Sequence, residues 1–251
     1  MKKVDILGVG VSITDYEKCV QTIIQYAKER KSLSVTAQPV HGFMEAHLHP
    51  SFKKTLNNFD IVTPDGMPVK IAANILGKAK LKDRVYGPSL MLKTCKEAEK
   101  NKMKIYLYGS TPEVLEKLEK SLNSKFPKLI IAGKNASKFG DLTEEENEQD
   151  LDKIKKSKTK IVFVGLGCPK QEKWVYKNSK NLKMPLIAVG AAFDFISGNK
   201  KQAPSWMQKI SLEWLFRLIQ EPRRLWKRYL VYNPLFILLL SLQFIGLKKF
   251  R

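Results

Sequence analysis

The segment KIYLYGSTPEVLEKL, residues 104–118, decides the fold class because a strand, a glycine turn and a capped helix follow one another directly. KIYLY is typical of a buried strand, and Ser110 or Thr111 is expected to cap a helix that has Pro112 at its first position. KIVFVGLG at residues 160–167 repeats the strand-then-glycine design. Apolar strands that alternate with helices indicate a sheet covered on both faces. The sequence therefore predicts an α/β protein with a doubly wound, mainly parallel, Rossmann-like sheet.

Weaker patterns on either side extend this alternation of strands and helices. Apolar runs at residues 33–40, 59–68 and 185–195 are expected to supply further strands that end in polar turns. The run VDILGVGVS, residues 4–12, is expected to form one strand. Three helices are expected from the apolar spacing or the charge pattern: Tyr16–Lys31, Gly42–Asn57 and residues 143–158.

The charge of the chain points to an anionic partner. Among 251 residues, 45 Lys and Arg stand against 24 Asp and Glu, which leaves a net charge of +21. Nucleic acid, anionic lipid and a phosphorylated substrate are the candidate partners, and a solvated lysine surface is the alternative explanation for the total charge. Three widely spaced cysteines encode neither a disulfide framework nor a zinc site.

The composition changes after Gly198, which divides the chain into an expected α/β domain, residues 1–198, and a basic C-terminal appendage, residues 199–251. The appendage contains 11 Lys and Arg, two acids, three of the four Trp residues and the apolar run at residues 230–247. This helical segment is expected to lie in the headgroup region of an anionic leaflet, and packing on the core or on another subunit is the alternative.

The N-terminus has no features of a secretory signal. Asp5 and Asp15 interrupt its apolar run, and no small-residue cleavage site follows. We therefore expect a cytoplasmic protein that is peripheral on the inner face of the cell membrane.

The candidate functional residues follow the apolar runs, since ligands of doubly wound folds bind beyond the carboxyl ends of the strands. Asp65, in a Pro-Asp-Gly turn, can serve as a general base towards a sugar hydroxyl, or it is an ordinary turn residue. Gly165, Gly167 and Lys170 precede or begin a helix whose backbone NH groups can cradle a diphosphate. The other candidates at these positions are Thr36, Gln38, Gly109, Ser110, Glu172 and Asp194.

Two common classes of site are not supported by the spacing. Neither Gly8-Val9-Gly10 nor the turn at Gly165 has the third glycine of the dinucleotide fingerprint, so NAD is not expected. His41, His47 and His49 do not match HExxH, and Asp150-Leu-Asp152 lies within an acidic helical run. We therefore expect neither a metal nor a cofactor.

Several long blocks occur together between about residue 5 and residue 229, and in this order the chain resembles the WecG/TagA/CpsF family of glycosyltransferases. The blocks are VTPDGMPV, RVYGPSL, IYLYGSTPEVLEKL, FPKLIIAG, VGLGCPKQEKWV, AVGAAFDFISG, KQAPSWMQ and SLEWLFRLIQEPRRLWKRY. The resemblance implies transfer of a sugar, with inversion and without a metal, from a UDP-sugar to a polyprenyl-diphosphate-linked saccharide. It further implies a homo-oligomer that works on cell-surface polysaccharide at the cytoplasmic membrane face.

The resemblance also assigns roles to individual residues. Asp65 is similar to the catalytic base of the family, Thr36 to a residue of the same pocket, and Gln171 and Arg84 to substrate contacts. The arginines of the appendage are expected to close over the site and meet the lipid diphosphate. They are Arg217, Arg223, Arg224 and Arg228.

The chain departs from the family pattern at two positions. Thr36-Ala37-Gln38 stands where Thr-x-Asn is usual, and Gln202 precedes Ala-Pro where Arg is usual. This pattern resembles an exopolysaccharide branch that uses glucose-type, that is hexose, donors.

Two other classes of protein remain as alternatives. A nucleic-acid-binding protein is supported by the interleaved Trp and Arg of the appendage, but it has no use for the apolar stretch at residues 234–247. A non-catalytic membrane-associated protein would keep the fold without turnover. We expect an enzyme with no nucleic-acid partner.

Overall fold

The computed structural model describes residues 1–137 and 142–250, so Arg251, part of the expected appendage, lies outside the described residues. The strands are β1 (Lys3–Ile6), β2 (Val9–Ser12), β3 (Leu33–Gln38), β4 (Ile61–Pro64), β5 (Lys104–Tyr108), β6 (Ile130–Asn135), β7 (Ile161–Val164) and β8 (Pro185–Ala188).

Helices lie between these strands and extend beyond them to the C-terminus. Those up to β8 are α1 (Tyr16–Glu29), α2 (Val40–Leu48), α3 (Pro50–Asn57), α4 (Met67–Gly77), α5 (Gly87–Lys100), α6 (Pro112–Lys125), α7 (Glu144–Lys156) and α8 (Lys170–Asn178). The later ones are α9 (Ala192–Ile196), α10 (Ser205–Lys209), α11 (Glu213–Gln220), α12 (Pro222–Trp226), a π-helical segment (Lys227–Tyr232) and α13 (Asn233–Phe244).

A six-stranded parallel sheet forms the centre of the molecule, in the order β4-β3-β8-β7-β5-β6. Its strands are apolar on both faces because helices cover both. Ile161 and Phe163 of β7 pack with α1, α5, α6 and α9, whereas Val162 and Val164 pack with α7 and α8. The predicted doubly wound α/β fold is therefore confirmed.

The N-terminal run differs from the single strand that its apolar pattern predicts. β1 and β2 form an antiparallel hairpin in which Ile6 pairs with Val9. Leu7 and Gly8 between them have φ values of +52° and +82°. A two-residue turn with both central residues in the left-handed region reverses a chain tightly, and it suits the twist of a hairpin.

The predicted helix over residues 42–57 is two helices, α2 and α3. The break lies at His49, which has an extended backbone and precedes Pro50. A residue before proline is pushed out of the helical region, and the proline has no NH to continue the hydrogen bonding of the helix. The cap of α6 agrees with the prediction, since Thr111 accepts a hydrogen bond from the Val114 NH and Pro112 follows it.

A separate hydrophobic cluster joins the two ends of the chain. It contains residues of the β1–β2 hairpin and of α2, α3 and α4, together with Tyr232, Phe236 and Leu239. Gln243 adds polar contacts, because its Oε1 accepts from the Leu7 NH at 2.9 Å and its Nε2 donates to Asp5 Oδ1 at 2.8 Å. Residues from both expected parts of the chain thus share one packed core.

The apolar C-terminal run forms α13, which has 12 residues. Across the two described ranges, no helix has the length and hydropathy needed to cross a membrane.

Candidate functional site

The polar residues singled out in the sequence collect at the carboxyl edge of the sheet. β3 ends at Gln38 and β4 ends just before Asp65, and the Asp65 NH donates to the Gln38 carbonyl at 3.1 Å. Farther along the same edge, the Gly165 NH donates to the Tyr108 carbonyl at 2.9 Å. Parallel strands explain this gathering, since all their carboxyl ends point the same way.

Asp65 is a partly buried carboxylate held in a tight turn. Gly66 follows it with φ +106°, a conformation that other residues rarely adopt. Asp65 Oδ2 accepts from the NH of Gly87, at the start of α5, at 3.3 Å. Burial raises the pKa of Asp65 to about 6, and the positive charge of Arg84 opposes this rise. A carboxylate with a pKa near neutrality is suited to take a proton from a hydroxyl.

Arg84 lies beside Asp65 but is paired with a residue of the appendage. Its guanidinium donates to Glu213 Oε2 at 2.6 Å and stacks 4.4 Å from the ring centre of Tyr86. Both partners of the ion pair are largely buried, with side-chain exposures of 12% and 11%. Glu213 of α11 therefore closes this side of the site. Sequence reasoning missed Glu213, although an acid within so basic a segment was a usable signal.

The predicted arginines of the appendage do not all behave alike. Arg217 lies over the Phe195 ring at 5.3 Å, and its charge lowers the pKa of Asp65. Burial lowers the pKa of Arg228, and the charges of Arg224 and Arg217 lower it further, so these three guanidinium groups lie near one another. Arg223 is exposed.

These cations differ in whether an acidic side chain neutralises them. Nε of Arg224 donates to Glu221 at 2.8 Å, and Lys200 shares the same carboxylate at 2.9 Å. Among the residues that the structure describes, no ion pair joins Arg217 or Arg228 to an acid. The charge of Arg217 acts on Asp65, and Arg228 lies near Arg217. Partly buried cations that lack an ion-pair partner are suited to an anionic ligand.

A buried polar cluster lies next to Asp65 under the end of β3. Glu172 Oε1 accepts from Thr36 Oγ1 at 3.1 Å, from Gln38 Nε2 at 2.8 Å and from Gln171 Nε2 at 2.8 Å. Gln38 Nε2 also donates to Thr36 Oγ1 at 2.8 Å. Burial raises the pKa of Glu172, while the three hydrogen bonds lower it. The structure thus brings four of the predicted residues together in one network.

Packing requires glycine at two of the candidate positions, Gly109 and Gly165, whereas the backbone conformation favours it at Gly167. A Cβ on Gly109 would lie 2.8 Å from Leu166 Cδ2, and one on Gly165 would lie 2.6 Å from the Phe193 ring. Gly167 has open space around it and φ +78°. Lys170 begins α8, and its side chain is exposed.

The last two candidates at this edge, Asp194 and Ser110, lie in α9 and in the turn before α6. Asp194 Oδ1 accepts from Asn199 Nδ2 at 2.8 Å, and its carboxylate lies 3.8 Å from Lys200. It therefore ties α9 to the start of the appendage. Ser110 has φ +68° in the turn before α6.

His41 and Asp150, which belong to the histidine group and the Asp-x-Asp motif of the sequence, contact other side chains of the protein. His41 stacks on Tyr232 with ring centres 5.8 Å apart, and burial lowers its pKa to about 3. Asp150 accepts from Tyr108 Oη at 2.9 Å and from Asn135 Nδ2 at 2.6 Å. Within residues 1–137 and 142–250, no group of three or more His, Cys, Asp or Glu residues is arranged to hold a metal ion.

Comparison with known proteins gives one consistent result. The family model described as "Glycosyl transferase WecG/TagA/CpsF family" matches residues 4–250. A protein of Bacillus spizizenii named N-acetylglucosaminyldiphosphoundecaprenol N-acetyl-beta-D-mannosaminyltransferase is 34% identical over 198 residues, 78% of this chain and 74% of the relative. A Staphylococcus aureus protein of the same name is 31% identical over 230 residues, 90% of this chain and 86% of the relative.

Proposed function

Because the chain belongs to the WecG/TagA/CpsF family of glycosyltransferases, we propose that it transfers a hexose-type sugar from a UDP-sugar to a polyprenyl-diphosphate-linked saccharide. The names of the relatives support this class of acceptor, since both describe a sugar linked to undecaprenol through a diphosphate. The product would be an intermediate of a cell-surface polysaccharide. The observation that carries the proposal is Asp65, a base-competent carboxylate with arginines beside it.

Asp65 would act as the general base. The acceptor hydroxyl attacks the anomeric carbon on the face opposite UDP, and Asp65 takes the hydroxyl proton as the new bond forms. One base is sufficient for inversion, whereas retention through a covalent intermediate requires a nucleophilic carboxylate. Burial prepares Asp65 for this role by bringing its pKa to about 6, close to the pH at which the cell operates.

The appendage would supply positive charge for the leaving diphosphate. Negative charge develops on UDP as the glycosidic bond breaks, and preorganised cations in a site with little water stabilise it strongly. Arg217 and Arg228 are placed for this role, because both are partly buried near the site and have no ion-pair partner among the acids described. We propose that these arginines make the reaction independent of a divalent metal.

The same surface would bring the enzyme to its lipid-linked acceptor. The last 30 residues of the sequence, 222–251, contain seven Lys and Arg and no Asp or Glu. Exposed apolar side chains accompany this charge, including Trp226, Leu230 and Ile237. Basic and apolar groups on one segment favour an anionic leaflet, so we propose peripheral association with the inner face of the cell membrane.

UDP release tests the proposal directly. The protein would be given UDP-glucose, UDP-N-acetylmannosamine and other UDP-sugars, with a short-chain polyprenyl-diphosphate N-acetylglucosamine as acceptor and with EDTA present. We expect release that depends on the acceptor and occurs with one donor. Asp65→Asn should lower turnover about 100-fold or more, since a general base contributes roughly 10² to 10⁴.

Asp152→Asn is the matched control, because it removes an exposed carboxylate on α7 and should leave turnover unchanged. Full activity of Asp65→Asn would remove Asp65 from the role of base. Activity that is lost in EDTA and restored by a divalent metal would contradict metal independence.

A further inference from the structure

Glu172 is the point at which the buried cluster converges. Three donors from two separate elements, β3 and α8, reach the same oxygen, Oε1, at distances between 2.8 and 3.1 Å. Thr36, Gln38 and Glu172 have no exposed surface. A side chain without exposed surface touches no substrate in this conformation, so the hydrogen bonds among these three residues serve the interior of the protein.

The two amides of the cluster are held through their nitrogens, and neither Oε1 has a hydrogen-bond partner among the described residues. Each Nε2 points at the Glu172 carboxylate, and each Oε1 points at a glycine. The Gln38 Oε1 lies only 1.8 Å from the position that a Cβ on Gly42 would occupy, and the Gln171 Oε1 lies 3.3 Å from that of Gly190. Neither amide can therefore turn over without losing its donors to the carboxylate, and both side chains have one defined orientation.

The cluster is connected to Asp65 through the backbone. Gln38 ends β3 and pairs with Pro64 at the end of β4. The Gln38 carbonyl accepts the hydrogen bond from the Asp65 NH at 3.1 Å. The side chain of Gln38 is thus held by Glu172, and its carbonyl holds the turn that carries Asp65.

We propose that Glu172 is a positioning residue, whose carboxylate fixes the end of β3 through Thr36 and Gln38 and thereby sets the place of Asp65. An oxygen that receives three donors is held in one place, because moving it would break several buried hydrogen bonds at once. This inference rests on the proposed function only for its effect on turnover. The mechanical connection from Glu172 to Asp65 is independent of what the enzyme transfers.

The test compares Glu172→Gln with Asp150→Asn. Both variants replace a largely buried carboxylate, which accepts several hydrogen bonds, by the isosteric amide. Asp150 accepts from Tyr108, Asn135 and Lys153, and none of these donors is a residue that holds the turn at Asp65. We expect Glu172→Gln to lower kcat/KM about 10- to 100-fold, since small displacements of reacting groups are costly, and Asp150→Asn to retain the activity of the parent.

Amide hydrogen exchange gives a readout that does not depend on turnover. The Asp65 NH should exchange at least tenfold faster in Glu172→Gln and at the parental rate in Asp150→Asn. Unchanged exchange at Asp65 together with unchanged kcat/KM per folded molecule would overturn the proposal, whatever the loss of thermal stability. If the parent protein transfers no sugar at all, the proposed function fails, while faster exchange in Glu172→Gln would still support the connection.

A second pair of variants keeps the proposal testable if Glu172→Gln does not fold. Thr36→Val removes one donor to Glu172 and the acceptor of Gln38 without changing the shape of the side chain. We expect faster exchange at Asp65 and a lower kcat/KM. Thr36→Ser, which keeps the hydroxyl, should restore both. Equal behaviour of the two variants would contradict a role for the hydroxyl network.

Discussion

At the scale of single residues, the candidate site contains two buried carboxylates that differ in the hydrogen bonds they accept. Asp65 and Glu172 are both carboxylates, and burial raises the pKa of both. Their surroundings then separate them. Glu172 accepts three side-chain donors, whereas Asp65 receives one backbone NH and lies near Arg84. Asp65 thus retains the capacity to take a proton, and Glu172 uses its oxygen to hold neighbours.

The raised pKa of Asp65 has a consequence for activity. A general base must be ionised, so kcat/KM should fall tenfold for each unit of pH below about 6 and level off above it. Initial rates of UDP release between pH 4.5 and pH 8.5, with stability checked at each pH, would measure this limb. A profile without a limb near pH 6 would contradict the assignment.

The same shift predicts that Asp65 lowers the free energy of unfolding when it is ionised. The folded pKa of about 6 lies above the ordinary value of 3.8, so the folded state binds the proton more tightly. The free energy of unfolding therefore declines as pH rises between these values. Asp65→Asn should be more stable than the parent by about 1 to 3 kcal/mol at pH 8, with a gain smaller by about 1 kcal/mol at pH 5. Urea denaturation at both values would measure the difference, and a variant less stable than the parent at pH 8 would contradict it.

Sequence reasoning proposes single residues where a local signal exists. The Pro-Asp-Gly turn singles out Asp65 because proline restricts the backbone before it and glycine permits a positive φ after it. Composition singles out Glu213 as an acid in a basic segment, but it does not show that Glu213 pairs with Arg84, since 129 positions separate the two in the chain. The three donors that meet at Glu172 were equally hidden, because a glutamate in the first turn of a helix usually faces solvent or interacts with the helix dipole. Long-range polar contacts of this kind depend on tertiary packing.

At the scale of elements, α2 and β3 are fitted to each other through Gly42. Glycine in a helix normally costs about 1 kcal/mol relative to alanine. Here it makes room for Gln38, whose Oε1 occupies the space that a Cβ would need. The glycine therefore belongs to the polar cluster as much as the side chains do.

Helix propensity alone would predict that alanine at position 42 stabilises the protein. The close approach of Gln38 predicts the opposite. Gly42→Ala should destabilise the protein by about 1 to 3 kcal/mol, because overpacking displaces a buried side chain. The shorter Gln38→Asn should reduce the cost of Gly42→Ala when the two changes are combined. Urea denaturation of both single variants and the double variant completes the cycle. Additive effects would show that the two positions do not compete for space.

Helices were predicted well where the sequence pattern extended over many residues and a cap marked the start of the helix. α6 and α7 agree with their patterns, and Thr143 and Glu146 form a reciprocal cap at the start of α7. The β1–β2 hairpin was missed because Leu7 gives no turn signal, although it adopts φ +52°. Strand order was also beyond the sequence, since the place of β8 between β3 and β7 depends on long crossovers.

At the scale of the whole molecule, two helices of the C-terminal appendage contact different parts of the α/β domain. α11 reaches the site through the ion pair of Glu213 with Arg84. α13 instead packs on the hairpin and on α2, where Phe236 and Leu239 are buried. A composition shift at Gly198 therefore marks a change of surface chemistry, while packing and the site both continue across it.

The outward face of α13 is the strongest candidate for membrane contact. Ile237, Leu238, Phe244 and Ile245 lie at helical spacing and are 57% to 63% exposed. Cations flank α13 on both sides in the sequence. Lys227 and Arg228 precede the helix, and Lys248 and Lys249 follow it. An apolar face between two cationic ends fits a helix that lies in the plane of the headgroups, with its ends near lipid phosphates.

Replacing part of this face should uncouple the protein from membranes without unfolding it. The double variant Ile237→Asn, Leu238→Asn removes two exposed apolar side chains and no charge. We expect affinity for vesicles of phosphatidylglycerol and phosphatidylcholine to fall about tenfold or more, because burial of apolar area at the interface contributes to binding together with charge. Co-sedimentation over a range of salt concentrations would measure both contributions.

A control variant separates this face from exposed apolar surface in general. Ile130 is 43% exposed on β6, the edge strand at the end of the sheet opposite β4, and Ile130→Asn should leave vesicle binding unchanged. Equal losses in both variants would mean that no particular face is used. If the α13 variant instead changes the sedimentation coefficient without lipid, the face is a contact between copies of the chain. Because the charge is preserved in every variant, persistence of strong binding would assign the membrane contact to the basic residues and not to this apolar face.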